Sequence, residues 1–235
     1  MLFNSHEFIL LFLPLALAAH FVVARHSTTA AVLTTTVSSL LFYAWWKPPF
    51  VALPISSILL NFWLAQEIIR TPLPRRRQLA VVGAAANLLV LGYFKYADFV
   101  ISVFAHRAPM PPDVPLALSF TTFVQIAFLI ELSRRPTVVA LPKYAMFVSF
   151  FPHLIAGPIV RWSELGYQLD DPKRYRINWD NVARGVTIFC FGLAKKILIA
   201  DPLAPFVARV FDAAAAGHAV TAAPCGPPSG PRPAW

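Results

Sequence analysis

One interrupted apolar stretch holds the residues whose types could do chemistry. It reads FVSFFPHLIAGPIVR, Phe147–Arg161, with the ionisable His153 inside it and Arg161 at its end. An imidazole can be neutral at physiological pH, so burying it costs far less than burying a lysine. An ionisable group at membrane depth is a functional-site hypothesis by default. The structural alternative is a kinked helix in which His153 donates to a neighbouring carbonyl, and the sequence leaves both interpretations open.

Three residues interrupt the helical pattern of this stretch, namely Pro152, Gly157 and Pro158. Proline removes a backbone donor and clashes with the preceding turn, so a straight helix is not expected. Broken backbone at membrane depth persists only where protein or a water-filled cavity surrounds it. We therefore predict a broken segment whose His153 and Arg161 face water or protein, and not lipid.

The composition is that of a membrane protein. The 235 residues are 57% hydrophobic and 13% charged, with a mean hydropathy of +0.61, whereas a soluble domain is about 25% charged. The net charge of +9 does not indicate nucleic-acid binding, because the basic residues fall between apolar blocks and form no basic face with interleaved aromatics. Cys190 and Cys225 make neither a disulfide framework nor a metal site.

The apolar blocks predict an all-α polytopic membrane protein with roughly six to eight transmembrane or re-entrant helices. Each block is long enough to be a span or a partial span. They are Phe8–Ala24, Ala30–Trp46, Phe50–Ile69, Leu79–Phe104, Pro115–Leu132, Tyr144–Val160 and Val182–Ala200.

Two block ends carry specific expectations. The helix in Leu79–Phe104 is expected to end near Tyr96, because a charged group at mid-membrane is costly. The alternative is a pair between Lys95 and Asp98 in the interior. The last block is expected to stop at Asp201-Pro202, since the residue before a proline disfavours helix.

Basic residues predict the topology. Arg70–Arg77, RTPLPRRR, holds four arginines and is expected in the cytoplasm, which puts the N-terminus and the loop Ala108–Pro115 outside. The next block, Tyr144–Val160, should then cross outward, yet the basic region Arg161–Arg184 follows it. We therefore predict that this block enters the membrane and returns without crossing.

Three stretches together resemble the membrane-bound O-acyltransferase (MBOAT) family, in its bacterial alginate or polysaccharide O-acetyltransferase branch. They are LGYFKYADFV at Leu91–Val100, FVSFFPHLIAGPIVRW at Phe147–Trp162 and NWDNVARGVTIFCFGLAKKILIADPLAPFV at Asn178–Val207. The opening FNSHEFILLFLPL is also typical. The resemblance covers most of the chain up to about residue 220, with the motifs in family order.

The resemblance implies a ring of helices around a funnel in the bacterial inner membrane, with the five residues of the interrupted stretch as funnel-lining candidates. It implies acetyl transfer from a cytoplasmic acyl donor, acetyl-CoA or similar, to an exported polysaccharide such as alginate. The implied partners are membrane lipid and periplasmic polysaccharide-modifying proteins. No bound cofactor, metal or nucleic acid is expected.

The chain departs from the family pattern in several places. The family's catalytic histidine, which could act as a general base, is expected beyond residue 220, and His153 stands where relatives commonly have Gln. Ala117 replaces a common Gly and Glu131 a common Asp. We therefore divide the chain into an incomplete membrane region, 1–219, and a Pro/Gly/Ala-rich tail, 220–235, which is expected to be disordered.

The sequence thus favours an amino-terminal portion of an O-acetyltransferase that lacks the catalytic half. Two alternatives stay open. Broken helices and buried ionisable groups also mark transporters and permeases, although no inverted repeat is visible. The chain could also be an inactive membrane fragment.

Overall fold

The computed structural model describes residues 3–46, 48–105, 117–154, 157 and 160–215. Every regular element in these ranges is helical, which confirms the predicted all-α class. The chain divides into two units, Met1–Ile177 and Asn178–Trp235. The predicted loop Ala108–Pro115, Pro158 and the predicted tail 220–235 lie outside the described residues.

The first unit contains α1 to α8, with short π and 3₁₀ turns between some of them. The helices are α1 Leu13–Ala24, α2 Thr28–Trp46, α3 Ala52–Arg70, α4 Arg75–Ala105, α5 Leu118–Arg134, α6 Leu141–Ser149, α7 Phe151–Leu154 and α8 Trp162–Asp170. A π turn, Glu7–Phe12, precedes α1, and 3₁₀ turns cover Pro48–Val51 and Pro172–Tyr175.

Three stretches of helix are long and apolar enough to cross a membrane, counted over the described ranges alone. They are Glu7–Ala24, Pro48–Arg70 and Arg75–Ala97. Large apolar side chains on them are exposed, as Leu89 at 75% illustrates. Apolar side chains that find no partner within the protein are the ones that hydrocarbon would solvate. The chain is accordingly a membrane protein.

The fourth helix is longer than the sequence predicted. It runs unbroken through 31 residues to Ala105, about 46 Å, so the expectation that it ends near Tyr96 is wrong. No proline follows Lys95 within the helix to break it. The Lys95 side chain is exposed, with its Nζ 5.5 Å from the centre of the Tyr96 ring. An exposed lysine can direct its charge away from the apolar surface, so it does not end the helix.

The core of the first unit is built around α5, which packs against α3, α4 and α6. Its buried residues include Val124, Phe128, Leu129 and Leu132. α4 approaches closely at Gly83, where an added Cβ would lie 2.8 Å from the Leu129 Cδ1 atom. A small residue at such a crossing lets helices pack by van der Waals contact, as is common between membrane helices.

Gln125 of α5 meets polar residues of the neighbouring helices α3 and α4. The Gln125 Oε1 atom accepts hydrogen bonds from Ser57 Oγ at 2.8 Å and Asn61 Nδ2 at 2.6 Å. Asn61 and Asn87 donate to each other's side-chain oxygens at 3.2 and 2.7 Å. α3, α4 and α5 are therefore joined by one cluster of hydrogen-bonded polar side chains, an interaction that is common between membrane helices.

The second unit is a helical run of α9 Trp179–Lys195, a π turn Lys196–Ala200 and α10 Asp201–Ala215. The expectation that Asp201-Pro202 stops the helix is wrong. Proline lacks an N–H, and in the first turn of a helix that N–H has no partner in any case. A π turn also precedes Pro14 in the first unit, so the chain uses the same arrangement twice.

Candidate functional site

The interrupted stretch breaks where the structure ends α6 at Ser149. Phe150 leaves the helical region, with φ −54° and ψ 108°, and α7 begins at Phe151. The Phe151 N–H, released by this break, donates to the Ser39 Oγ atom of α2 at 3.2 Å, and Ser39 is fully buried. The predicted interruption is confirmed, and protein surrounds its backbone at this point.

An aromatic cluster holds the break in place. The Phe151 ring lies 5.3 to 6.0 Å, centre to centre, from the rings of Phe8, Phe12 and Phe42. Phe8 and Phe12 belong to the π turn before α1, and Phe42 belongs to α2. Aromatic pairs at these separations add stabilisation beyond the area they bury. The C-terminal end of α6 is thus fixed between α2 and the π turn that precedes α1.

The His153 side chain supplies a hydrogen-bond donor at the C-terminal end of α6. Its Nε2 atom lies 3.2 Å from the carbonyl oxygen of Phe147, one of the last four carbonyls of α6, which lack partners within the helix. Because a carbonyl only accepts, Nε2 carries the hydrogen. The imidazole is half-buried between the rings of Phe120, at 5.6 Å, and Phe150, at 5.3 Å. The structural alternative for His153, donation to a neighbouring carbonyl, is therefore what the structure shows.

The interrupted segment ends close to the residues at which it begins. The Trp162 ring lies 5.6 Å from that of Phe128 and 5.4 Å from that of Phe147. The next residue, Ser163, donates its N–H to Glu131 Oε1 near the end of α5 at 3.0 Å. At the other end of α8, Asp170 pairs with Lys143, in the first turn of α6.

Both ends of the interrupted segment therefore lie beside the C-terminal part of α5. The entry of this segment into the membrane and its return stay a prediction, which this geometry supports. The end of the first unit where α3 and α5 finish and α4 and α8 begin is called the basic end below, because Arg70, Arg75, Arg77, Arg134 and Arg161 all lie there.

The sequence-predicted site residues are not brought together. His153 lies within the phenylalanine side chains, whereas Arg161 is exposed and lines a cavity of about 410 Å³ at the basic end. Pro152 is exposed in the first turn of α7. Gly157 is also exposed, and a Cβ added there would lie close to His153.

Sequence reasoning missed the two residues that position this segment, Ser39 and Glu131. Ser39 gave no local signal, because it lies 112 positions from its partner Phe151. Glu131 was noted as a departure from a common Asp, and that carboxylate position was the available signal. In the part of the chain that the structure describes, no group of three or more His, Cys, Asp or Glu side chains could hold a metal ion.

The turn after α8 contains a buried tyrosine. The Tyr175 hydroxyl donates to the Leu169 carbonyl at 2.8 Å, and its ring stacks on that of His20 with 6.0 Å between centres. Burial, and then the charge of nearby Asp170, raise the pKa of Tyr175, so it stays a donor. This contact places the C-terminal part of α1 beside the turn that follows α8.

Comparison with known proteins identifies relatives whose alignments cover nearly the whole of this chain. A peptidoglycan O-acetyltransferase of Helicobacter pylori is 34% identical over 249 aligned residues, which cover 91% of this chain. Probable alginate O-acetylases AlgI of Pseudomonas syringae pv. tomato and Pseudomonas aeruginosa are 34% and 33% identical over 87% and 90% of it. The chain belongs to the membrane-bound O-acyltransferase family. The resemblance carried by the three motifs is thereby confirmed.

The chain spans less than half the length of those relatives, between 41% and 47% of each. The proportion fits the predicted portion of a longer enzyme. No protein-family model matches the chain, and no solved structure matches it.

Proposed function

We propose that this chain is the membrane-embedded portion of an O-acetyltransferase that acetylates an exported polysaccharide. The observation that carries the proposal is the 34% identity to the peptidoglycan O-acetyltransferase over 91% of the chain. In the proposed reaction the acyl donor is acetyl-CoA or a similar thioester. The thioester carbon–sulfur bond breaks and a carbon–oxygen bond to the sugar hydroxyl forms. The hydroxyl proton passes through a base to the departing thiolate, which leaves as a free thiol.

The base is not assigned to His153. Its Nε2–H is donated to the Phe147 carbonyl, and the phenylalanine rings of Phe120 and Phe150 flank the imidazole. That arrangement supports a positioning role, in which His153 stabilises the end of α6. The proposal therefore keeps the general base on a histidine of the whole enzyme beyond residue 220.

The basic end is proposed to face the cytoplasm of a bacterium, with the chain in its inner membrane. Arginines are concentrated there, and basic loops prefer the cytoplasmic side. α1 runs from the opposite end toward Tyr175, so the N-terminus is proposed to lie outside. A cytoplasmic donor would then approach the basic end, and periplasmic polysaccharide-modifying partners would act on the opposite side.

The interrupted segment is proposed to line the funnel of the complete enzyme. Its enclosure supports this, because the freed Phe151 N–H is bonded to Ser39 and the return is fixed at Glu131. A broken segment held by protein at both ends can border a water-filled passage that a straight helix would close.

A chimera tests the proposed function. The matched part of the Helicobacter pylori peptidoglycan O-acetyltransferase is replaced by residues 1–215 of this chain, and transfer of labelled acetyl groups to peptidoglycan is measured. We expect acetylation by the chimera and none by this chain alone. A chimera that assembles in the membrane but transfers nothing, or a chain that moves solute across liposomes without covalent change, would refute the proposal and favour a transporter.

A further inference from the structure

A cavity of about 410 Å³ with charged side chains in its lining lies at the basic end, between the last turn of α5 and the first turn of α8. Arg134, Arg135 and Arg161 line it together with Glu131 and Ser163. Three guanidinium groups and one carboxylate give this lining a net charge of +2. The volume lies within the roughly 300–1,000 Å³ typical of small-molecule sites.

The positive charge of this cavity is not neutralised by the described part of the chain. The Glu131 Oε1 atom already accepts from the Ser163 N–H, which also fixes that carboxylate in place. None of the three arginines makes an ion pair among the described residues, whereas Arg70 at the same end pairs with Glu67 at 3.3 Å. Within the described ranges, the cavity thus presents three guanidinium groups without a carboxylate partner.

Helix electrostatics account for only part of this arrangement. Arg134 and Arg135 stand at the C-terminal end of α5, where the helix dipole favours positive charge. Arg161 is different, because it occupies the N-cap position of α8 and the dipole disfavours a cation there. An anion bound between the three guanidinium groups would reverse that unfavourable interaction.

We propose that the arginine cavity, defined by Arg134, Arg135 and Arg161, binds a phosphate group. Planar guanidinium groups bind phosphate oxygens in pairs, and arginine is the residue best suited to that geometry. The phosphate is either that of an anionic phospholipid headgroup at the membrane surface or that of a soluble diphosphate. This inference does not depend on the acetyltransferase proposal, since it rests on the cavity alone.

Two double variants with the same loss of charge test the proposal. R134Q/R161Q removes guanidinium groups from the cavity, whereas R75Q/R77Q removes them from exposed positions at the same end and outside the cavity. Binding of inorganic pyrophosphate is measured on the purified chain in neutral detergent at physiological ionic strength, which screens exposed charges. Retained phosphatidylglycerol is counted by native mass spectrometry from nanodiscs that also contain phosphatidylcholine.

We expect R134Q/R161Q to weaken binding of one probe by about tenfold or more and R75Q/R77Q to leave it unchanged. Loss of pyrophosphate binding identifies a soluble diphosphate, and loss of phosphatidylglycerol retention identifies a lipid headgroup. Equal losses in the two doubles, or no binding of either probe by the unaltered chain, would overturn the proposal. Circular dichroism verifies that each double is folded, and R135Q against R77Q repeats the comparison with single changes.

Discussion

Ala117 holds a backbone conformation that its side chain disfavours. It is the N-cap residue of α5, with φ 62° and ψ 5°, in the left-handed region. That region costs a residue with a Cβ roughly 1–2 kcal/mol, and glycine avoids the cost. The resemblance had marked the same position as one where Ala replaces a common Gly, and the structure supplies the physical reason for that preference.

We predict that A117G raises the free energy of unfolding by about 1 kcal/mol. The measurement is equilibrium unfolding in mixed detergent micelles. A127G, in the interior of the same helix, is the control and should lower the free energy of unfolding by about 1 kcal/mol, because glycine disfavours helix. A loss of stability in A117G equal to that in A127G would contradict the assigned conformation.

The role of His153 can be separated from catalysis by two substitutions. H153L removes the donor and leaves the Phe147 carbonyl without its partner, which costs about 1–3 kcal/mol for a buried group. H153Q keeps an N–H donor and should lose less stability. We predict that the free energy of unfolding falls in the order wild type, H153Q, H153L. We also predict that the chimera carrying H153Q still transfers acetyl groups.

Inactivity of H153Q together with unchanged stability would contradict the positioning role. It would make His153 a candidate base instead.

At the scale of elements, α8 depends on a residue of another helix. Its own N-cap residue, Arg161, provides no side-chain cap, and the Ser163 N–H is instead accepted by Glu131 of α5. The return of the interrupted segment is therefore tied to α5 by a carboxylate at a helix N-terminus, where negative charge is favourable.

Substitutions of Glu131 should separate the hydrogen bond from the charge. E131Q keeps an acceptor oxygen and loses the charge, for which we expect a loss of about 0.3–1 kcal/mol. E131A loses both and should cost about 1 kcal/mol more. The hydrogen-exchange rate of the Ser163 amide should rise from wild type to E131Q and again from E131Q to E131A. Equal exchange rates in all three proteins would show that Glu131 does not hold α8.

The helices themselves were largely predictable because continuous apolar composition and block length indicate them. Their ends were not, as Tyr96 and Pro202 show. Lys95 does not end α4 because an exposed lysine can extend away from the apolar surface, and Pro202 continues a helix because it falls in a first turn. Local sequence rules describe the cost of such residues, but the position within the helix decides whether that cost applies.

At the scale of the whole molecule, the break in Phe147–Arg161 was predictable from the sequence. The tertiary contacts that hold the broken segment in place were not. Pro152 and Gly157 disfavour a continuous helix from local chemistry alone. Ser39 and Glu131 act through tertiary hydrogen bonds, which local sequence patterns do not predict. For the same reason the separate surroundings of His153 and Arg161 could not be derived from their closeness in sequence.

The interrupted segment is proposed to enter and leave the membrane at the same end of the first unit. Cysteine labelling tests it most directly. Single cysteines are placed at Thr137, before α6, and at Glu164, after the return, in a background without Cys190 and Cys225. Both positions are exposed. A membrane-impermeant thiol reagent is applied to intact and to permeabilised cells.

Because both positions lie at the basic end, which is proposed to be cytoplasmic, we expect both cysteines to react only after permeabilisation. Labelling of both in intact cells would preserve the return but reverse the orientation. Labelling of one position and not the other in intact cells would show that the segment crosses the membrane, and would contradict the account.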